Sequence, residues 1–268
     1  MFMTNLSLID YNKFRQQIQV VLDMNSIFRD KIDDFSLAVP QTNFIQEEIN
    51  EIETRGIELQ DPVEFVDGLA DTFVTTVFLE YLLCENANNF NDEYQNQYQK
   101  YQTLILQGEH IKNKQQFLTY LNETKMLCTP EMVKKKKSGK IILNLLLMFH
   151  YVNELTQSKF IELQQDIESF KNKDNLMDWA IDEVNDSNMS KFPSVDSKTD
   201  EQIQADLDKI KKKVGHDNVE YVVKNNFITY LDKNKGKFQK PTTFKEPNLQ
   251  AAVHFKDELS VFWKLLTD

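Results

Sequence analysis

Acidic residues recur at helical spacing between residues 44 and 75, and they are the part of the sequence best suited to chemistry. Glu48 and Glu51 are three residues apart, and Asp67 and Asp71 are four apart. Residues with these spacings share one face of a helix, so each pair would present two carboxylates side by side. Carboxylate oxygens are the ligands of hard divalent cations such as Mg²⁺. The spacing is compatible with a metal site and equally with two acid-rich surface helices.

The apolar residues around Asp67 and Asp71 favour the metal interpretation. They nearly surround the two aspartates, whereas a surface helix carries its acids opposite its apolar stripe. Burial of like charges costs on the order of several kcal/mol per ion unless a cation compensates. Mg²⁺ would compensate and would leave coordination positions for water and phosphate oxygens. Spacing alone still leaves both interpretations open. The apolar residues are Phe65, Val66, Leu69, Ala70, Phe73, Val74 and Val77.

Two helices must position these acids. The pattern predicts one helix from Thr42 to about Arg55, after an interruption at Pro40, and a longer one from Pro62 to about Glu85. The connection between them is short, which favours an antiparallel hairpin. Such a hairpin would bring the two acidic pairs together.

The rest of the chain is also mostly helical by its pattern. Six glycines and six prolines in 268 residues provide little material for tight hairpins, and apolar residues often recur every three or four positions. The sequence thus predicts an all-α fold, a single domain over 1–268 with a small β-leaning flap near 217–240. Further helices are predicted at 8–34 (one or two), 140–157, 158–172, 174–187, 200–213 and 249–266, and strands at 219–223 and 227–231.

Two other patterns have a functional and a structural interpretation, and we prefer the structural one for both. Aromatic residues with spacings of four, four and three could stack on a base, but they predict a core-facing stripe. They are Phe90, Tyr94, Tyr98 and Tyr101. A basic run at 134–137 precedes Ser138-Gly139-Lys140, but the glycine spacing of a phosphate loop is missing. We therefore expect a solvated turn there.

Charge and composition exclude some classes of protein. With 31 basic and 42 acidic residues the net charge is −11, which disfavours sequence-independent nucleic-acid binding. The longest apolar run, 141–149, is too short to cross a bilayer, and the N-terminus lacks a signal-peptide pattern. Cys84 and Cys128 are expected to be buried free thiols, and the four histidines show no zinc spacing. The expected location is the cytoplasm.

Two later motifs connect the acids to a known family. Residues 187–191 read Ser-Asn-Met-Ser-Lys, and residues 235–241 read Lys-Gly-Lys-Phe-Gln-Lys-Pro before a proline-containing tail to Leu249. With the Glu-x-x-Glu pair and the following acidic pair, this order resembles the MazG-like superfamily of all-α nucleotide pyrophosphohydrolases. That superfamily includes phosphoribosyl-ATP pyrophosphohydrolases and dimeric dUTPases. The later motifs are similar to those of its phage-type members.

The resemblance implies Mg²⁺-dependent hydrolysis of a nucleoside triphosphate, preferably a deoxynucleotide, to the monophosphate and pyrophosphate, with Mn²⁺ as a substitute ion. A phage-type member would control nucleotide pools in the host cytoplasm. A carboxylate not fully engaged with metal, Glu47 or Glu48, could accept the proton of the attacking water. The implied metal ligands are Glu48, Glu51, Asp67 and Asp71, and the implied substrate-binding residues are Ser187, Asn188, Lys191, Lys237 and Lys240.

The chain departs from the family pattern in two ways. Many relatives carry a glutamate where this chain has Gly68, so Asp67 is an inferred replacement, and Glu64 could share its role. Segments at about 86–174 and 194–232 would be insertions. Relatives build the site from a dimer, so this chain could be a homodimer or could complete the bundle internally.

Other interpretations of the same residues stay open. Ser187 and Asn188 could simply cap a helix end, and Lys237 and Lys240 could lie on a solvated turn. A non-catalytic protein that binds or sequesters a nucleotide is the main alternative function. A helical interaction protein with surface acids is a third.

Overall fold

The computed structural model describes residues 8–29, 32–84, 86–135, 140–234 and 237–263, without the side chains of Phe28 and Lys237. The described part is mostly helical with one small sheet. The helices are α1 Tyr11–Phe28, α2 Ala38–Glu51, α3 Pro62–Leu83, α4 Ala87–Leu106, α5 Lys114–Leu127, α6 Pro130–Lys134, α7 Ile141–Leu163, α8 Leu176–Met189 and α9 Asp200–Val214. The strands are β1 Val219–Lys224, β2 Phe227–Asp232 and β3 Lys237–Gln239.

The predicted hairpin of α2 and α3 is present, with different bounds for its first helix. α2 begins at Ala38 rather than Thr42, because Pro40 falls in its first turn, where a missing N–H is tolerated. The predicted helical stretch to Arg55 changes at Ile52 into a π-helix that runs to Glu58. α3 begins as predicted at Pro62, where the Asp61 carboxylate accepts from the Val63 and Glu64 N–H groups.

Close backbone contacts hold α2 and α3 antiparallel. A Cβ atom on Gly68 would lie 2.7 Å from Ile52 Cγ1, and one on Gly56 would lie 2.7 Å from the Phe65 Cα atom. Farther along, Gln41 Nε2 donates to the carbonyl oxygen of Thr75 at 2.9 Å. The contacts run in opposite directions along the two helices, which establishes the antiparallel arrangement. A side chain at Gly68 would have to displace the side chain of Ile52, which occupies the space beside it.

The segment predicted as an insertion at 86–174 contains α4 to α7. The aromatic stripe of α4 is buried, so its core interpretation is confirmed. The Tyr94 and Tyr98 hydroxyls donate to backbone carbonyls next to α1, and the Tyr101 hydroxyl contacts His150 Nδ1 at 3.0 Å. Cys84 and Cys128 are buried and are not joined by a disulfide, as predicted.

α7 corrects two predicted helices. The patterns at 140–157 and 158–172 are one continuous helix that ends at Leu163, followed by a short 3₁₀ turn at Glu168–Phe170. Its first half is buried almost all round, so the amphipathic period that marks the second half is absent there. Residues 136–139 lie outside the described residues, and the prediction of a solvated turn there stays untested. None of the helices in the described part combines the length and apolarity that a bilayer crossing requires.

The predicted flap is a three-stranded antiparallel sheet in the order β1-β2-β3, packed against α9. Both predicted strands are confirmed, and β3 was not predicted. Asn225 and Asn226 connect β1 and β2 with φ angles of 50° and 65°, which is typical of a two-residue hairpin turn. The flap has its own small core: Ile203, Leu207, Ile210, Val219, Ile228 and Tyr230.

The C-terminal helix predicted at 249–266 is wrong in type. The chain forms two 3₁₀ helices there, Gln250–Phe255 and Glu258–Phe262, and residues 264–268 are outside the described residues. The buried residues recur mostly every three positions, which matches the period of a 3₁₀ helix. They are Leu249, Ala252, Phe255, Leu259 and Phe262.

Candidate functional site

A cavity of about 410 Å³ lies between the α2–α3 hairpin, the end of α8 and the tail after β3. Its size falls in the range of roughly 300–1,000 Å³ common for small-molecule sites. Eight of the predicted site residues line it: Glu47, Glu48, Asp67, Asp71, Ser187, Asn188, Lys191 and Lys240. The fold therefore brings together motifs that are far apart in the sequence.

One side of the cavity is an acidic wall, formed by Glu47 and Glu48 of α2 and Asp67 and Asp71 of α3. The wall exists because α2 and α3 approach closely at Gly68. A Cβ atom at Gly68 would lie only 3.6 Å from the Glu48 carbonyl oxygen. The aspartates on either side of Gly68, one turn apart, thus lie beside Glu48.

Two of the acids proposed from the sequence point elsewhere. Glu51 does not line the cavity, and its carboxylate contacts Arg55 Nη1 at 3.3 Å. The same Arg55 atom contacts Glu64 at 3.4 Å. Glu51 is still close enough to raise the pKa of Glu48, Asp67 and Asp71, the three half-buried acids of the wall. It belongs to the charge cluster without bordering the cavity.

The acidic wall is electrostatically unfavourable on its own. Burial, and then repulsion by Asp71 and its other acidic neighbours, raises the pKa of Glu48 to about 8. Burial and repulsion by Asp71 likewise raise the pKa of Asp67 to about 7. The Asp67 Oδ1 atom is buried and has no hydrogen-bond partner. Desolvated carboxylates with an unsatisfied oxygen are suited to a cation.

Asp71 differs because it has favourable partners. Burial raises its pKa to about 6, while Lys191 and a hydrogen bond from Asn188 act in the opposite direction. The Asn188 side chain oxygen in turn accepts a hydrogen bond from Lys191 Nζ. Asn188 thus connects a carboxylate to an ammonium group. Asn188 lines the cavity from the last turn of α8, which continues to Met189, two residues beyond the predicted end.

The residues fit a divalent cation by charge rather than by a preformed coordination shell. Among the residues that the structure describes, no group of three or more His, Cys, Asp or Glu side chains is arranged to hold a metal ion. Like charges repel, so carboxylates converge on one point only around a cation. Mg²⁺ at the acidic wall therefore stays a prediction.

The tail after β3 and the residue that follows Ser190 add basic and aromatic groups to the cavity lining. Lys240 Nζ lies 4.1 Å from the centre of the Phe244 ring and pairs with Glu246 at 3.0 Å. Lys191 Nζ lies 5.9 Å from the centre of the same ring. Lys240 is exposed but faces the cavity. The side chain of Lys237, the other predicted lysine of this motif, is outside the described residues.

Two side chains that were given no role from the sequence fix the tail against α8. Ser190 Oγ accepts from the Lys245 N–H at 2.9 Å and donates to the Ser187 carbonyl at 2.7 Å. Glu183 Oε2 accepts from the Asn248 N–H at 3.2 Å. The position of Ser190 inside the Ser-Asn-x-Ser-Lys motif was the only sequence signal for this function.

The floor of the cavity was not predicted at all. α1 contributes Asn25 and Arg29, and Arg29 Nε donates to Asn25 Oδ1 at 3.2 Å. The Arg29 guanidinium lies 5.0 Å from the Phe78 ring, and burial lowers its pKa. Further apolar lining comes from residues without a common motif. These are Met24, Phe44, Val74, Val184, Phe192, Phe238 and Pro247.

Comparison of the chain with protein-family models, curated proteins and solved structures found no match.

Proposed function

We propose that this chain is a Mg²⁺-dependent nucleoside triphosphate pyrophosphohydrolase that produces a nucleoside monophosphate and pyrophosphate. The observation that carries the proposal is the cavity itself. It is lined by half-buried carboxylates with raised pKa values and, close to Asp71, by Asn188, Lys191 and Lys240. Carboxylates and ammonium groups in one cavity suit a polyanion that is bound both through a metal ion and through direct contacts with lysines.

The acidic wall would hold the metal. Glu48, Asp67 and Asp71 border the cavity, and Glu51 would join them if its contact with Arg55 opened. A bound divalent ion would supply charge neutralisation and a polarised water. Glu64 is the weaker candidate for the fourth ligand, because Asp67 lines the cavity and carries the unsatisfied oxygen.

Glu47 is suited to accept the proton of the attacking water. It lines the cavity on the exposed end of the acidic wall, whereas Glu48 lies deeper among the other acids. The water oxygen would bond to phosphorus, and the bond to the oxygen bridging the α and β phosphates would break. The proton would pass to Glu47, or to Glu48 if metal binding leaves an oxygen of it available.

The remaining lining would orient the substrate. Lys191 and Lys240 offer point charges to the phosphates, and Asn188 is held in place by Asp71. Phe192, Phe238 and Phe244 present aromatic surface for a base or sugar. A deoxynucleoside triphosphate is the substrate class that we favour, and the base stays undetermined.

Pyrophosphate release from the ribo- and deoxynucleoside triphosphates, including dUTP, with Mg²⁺ or Mn²⁺ tests this proposal. We expect turnover of one or a few nucleotides and its loss in Asp71→Ala. Glu58→Gln is the matched control, because Glu58 is an exposed acid of the adjoining π-helix. Equal turnover in wild type and Asp71→Ala would reject the assigned site.

A nucleotide-binding protein without catalysis is the second candidate. The observation in its favour is Gly68, where relatives carry a carboxylate and where a Cβ atom would lie 2.7 Å from Ile52 Cγ1. This chain would then lack one of the metal-binding carboxylates that the family carries. Calorimetry that detects nucleotide binding without pyrophosphate release, with both metals, would favour this candidate. The third interpretation, a helical interaction protein, predicts no heat of metal binding and no nucleotide-dependent rise in melting temperature.

A further inference from the structure

The outer edge of β1 is exposed and apolar. Tyr221, Val222 and Val223 are 43%, 41% and 52% exposed, although they are consecutive and so point to both faces of the sheet. The strand order β1-β2-β3 makes β1 an edge strand. In the part of the chain that the structure describes, no strand pairs with its outer side. Natural proteins seldom leave such an edge unprotected.

The hairpin geometry determines which backbone groups face outward. In a two-residue hairpin, the residues that flank the turn form a hydrogen-bonded pair, here Lys224 and Phe227. Hydrogen-bonded and non-hydrogen-bonded pairs then alternate along the strands. The backbone N–H and C=O groups of Val222 therefore point towards β2. The Thr229 hydroxyl donates to the Val222 carbonyl at 3.2 Å, which agrees with this assignment. Tyr221 and Val223 therefore direct their N–H and C=O groups away from β2.

We propose that β1 pairs antiparallel with β1 of a second copy of this chain, with the two-fold axis at Val222. In this register Tyr221 is opposite Val223 of the second copy, and both have outward-facing backbone groups that can bond to each other. If one strand shifted by one residue, backbone groups that point outward would lie opposite backbone groups that point inward, and the hydrogen bonds between the two copies could not form. The dimer would join the two flaps in one continuous six-stranded sheet, counting the three strands of each copy.

Charge selects this register among those that the ladder allows. With the axis at Val222, Glu220 is opposite Lys224 of the second copy, and two-fold symmetry repeats the pair. With the axis at Tyr221, Glu220 would instead be opposite Val222 of the second copy. With the axis at Val223, Lys224 would be opposite that valine. Opposite charges across an antiparallel pair are favourable, and like charges there are unfavourable. Glu220 also contacts Lys233 of its own chain, so its carboxylate would lie between two lysines.

Sedimentation velocity over a concentration series, with charge reversals, tests the proposal. Wild type is expected to form a dimer as concentration rises. Glu220→Lys and Lys224→Glu each place two like-charge pairs at the interface, and we expect each to raise the dissociation constant about tenfold. The double variant restores opposite charges and should return the dissociation constant to near the wild-type value.

Val223→Pro provides a second, backbone-based measurement. Proline removes an N–H that points to the open edge and leaves the bonds between β1 and β2 in place. We expect a monomer with an unchanged circular dichroism spectrum. A wild type that stays monomeric throughout the series would overturn the proposal. So would a double charge variant that dissociates as readily as the singles, since that result would assign the charges a role within one chain.

Discussion

Carboxylates removed from solvent, fully on α9 and partly at the acidic wall, differ in how their charge is compensated. On α9, which packs against the flap, Asp206 is 1% exposed, and its two oxygens accept from Lys198, Tyr230 and Thr242. Burial alone would raise the pKa of Asp206, but the Lys198 ion pair and the Thr242 hydrogen bonds lower it. In the acidic wall, Glu48 and Asp67 have raised pKa values instead.

The difference separates a structural carboxylate from one available for a ligand. The chain itself supplies the hydrogen-bond donors that Asp206 needs. One of them is the N–H of Thr242, two residues after Lys240, so Asp206 fixes this part of the tail against α9. The acidic wall contains Asp67 Oδ1, a buried oxygen without a partner. A folded chain retains such an arrangement at a cost to stability, and functional sites are where that cost is found.

The largest expected effect is on activity. Asp71→Asn removes one charge of the acidic wall, and we expect pyrophosphate release to fall about 100-fold or more, since metal-held charge stabilisation is worth several kcal/mol. The same substitution relieves repulsion, so the melting temperature of the metal-free protein should rise. Steady-state kinetics and calorimetric melting measure the two effects. A variant with lower activity and a lower melting temperature would show that Asp71 is structural, like Asp206.

Asp206→Asn should lower the stability of the protein, whereas Asp71→Asn should raise it. The Asp206 substitution leaves the buried Lys198 ammonium without its counterion, and we expect the free energy of unfolding to fall by about 3 kcal/mol. Urea denaturation measures this. Asp208→Asn, an exposed acid two residues along the same helix, is the control and should change stability little. Equal losses in both variants would remove the contrast between the two regions.

The acidic wall also predicts how stability depends on pH. Glu48 has an unfolded value of 4.5 and a folded pKa of about 8, so the folded state holds protons that the unfolded state releases. Stability of the metal-free protein should therefore fall as pH rises from about 6.5 to 8. The pKa of buried His150 is lowered to about 4, so its contribution to the pH dependence lies below this window.

Melting temperatures of wild type and Glu48→Gln across that range test the pH prediction. The variant should lose most of the slope, and saturating Mg²⁺ should remove it in wild type. A slope that persists in Glu48→Gln would have to come from other groups.

The smallest expected effect concerns the tail. Ser190→Ala removes the acceptor for the Lys245 N–H and the bond to the Ser187 carbonyl, which should cost about 1 kcal/mol. Because the tail carries Lys240, KM should rise several-fold with little change in kcat. Ser197→Ala, which loses a comparable bond to the Ser194 carbonyl in the flap, should leave KM unchanged.

Much of the cavity could be predicted because its chemistry is concentrated in short motifs. Asp67 and Asp71 stand out as acids among apolar residues, and Asn188 and Lys191 share one motif at a helix end. Arg29 could not be predicted, because the end of α1 lies far from the motifs in sequence and carries no distinctive spacing. Tertiary packing alone brings it to the cavity.

The fold was predictable where local signals were strong. Asp61-Pro62 marks the start of α3, and the Asn225-Asn226 turn separates two strands of the flap. Glu51 does not line the cavity beside Glu48, because Arg55, four residues on, binds its carboxylate, and its role as a metal ligand stays a prediction. The π-helix that follows and the 3₁₀ helices near the C-terminus depend on packing against α3 and the core, which a helical period does not encode.

Product identity tests the central claim most directly. Phosphorus NMR of wild type with Mg²⁺ and the nucleoside triphosphate that it turns over should show a monophosphate and pyrophosphate in equal amounts. With ¹⁸O-labelled water, the label should enter a single product. A nucleoside diphosphate with inorganic phosphate, or no product from any nucleotide with either metal, would contradict the assignment of the acidic wall to pyrophosphohydrolysis.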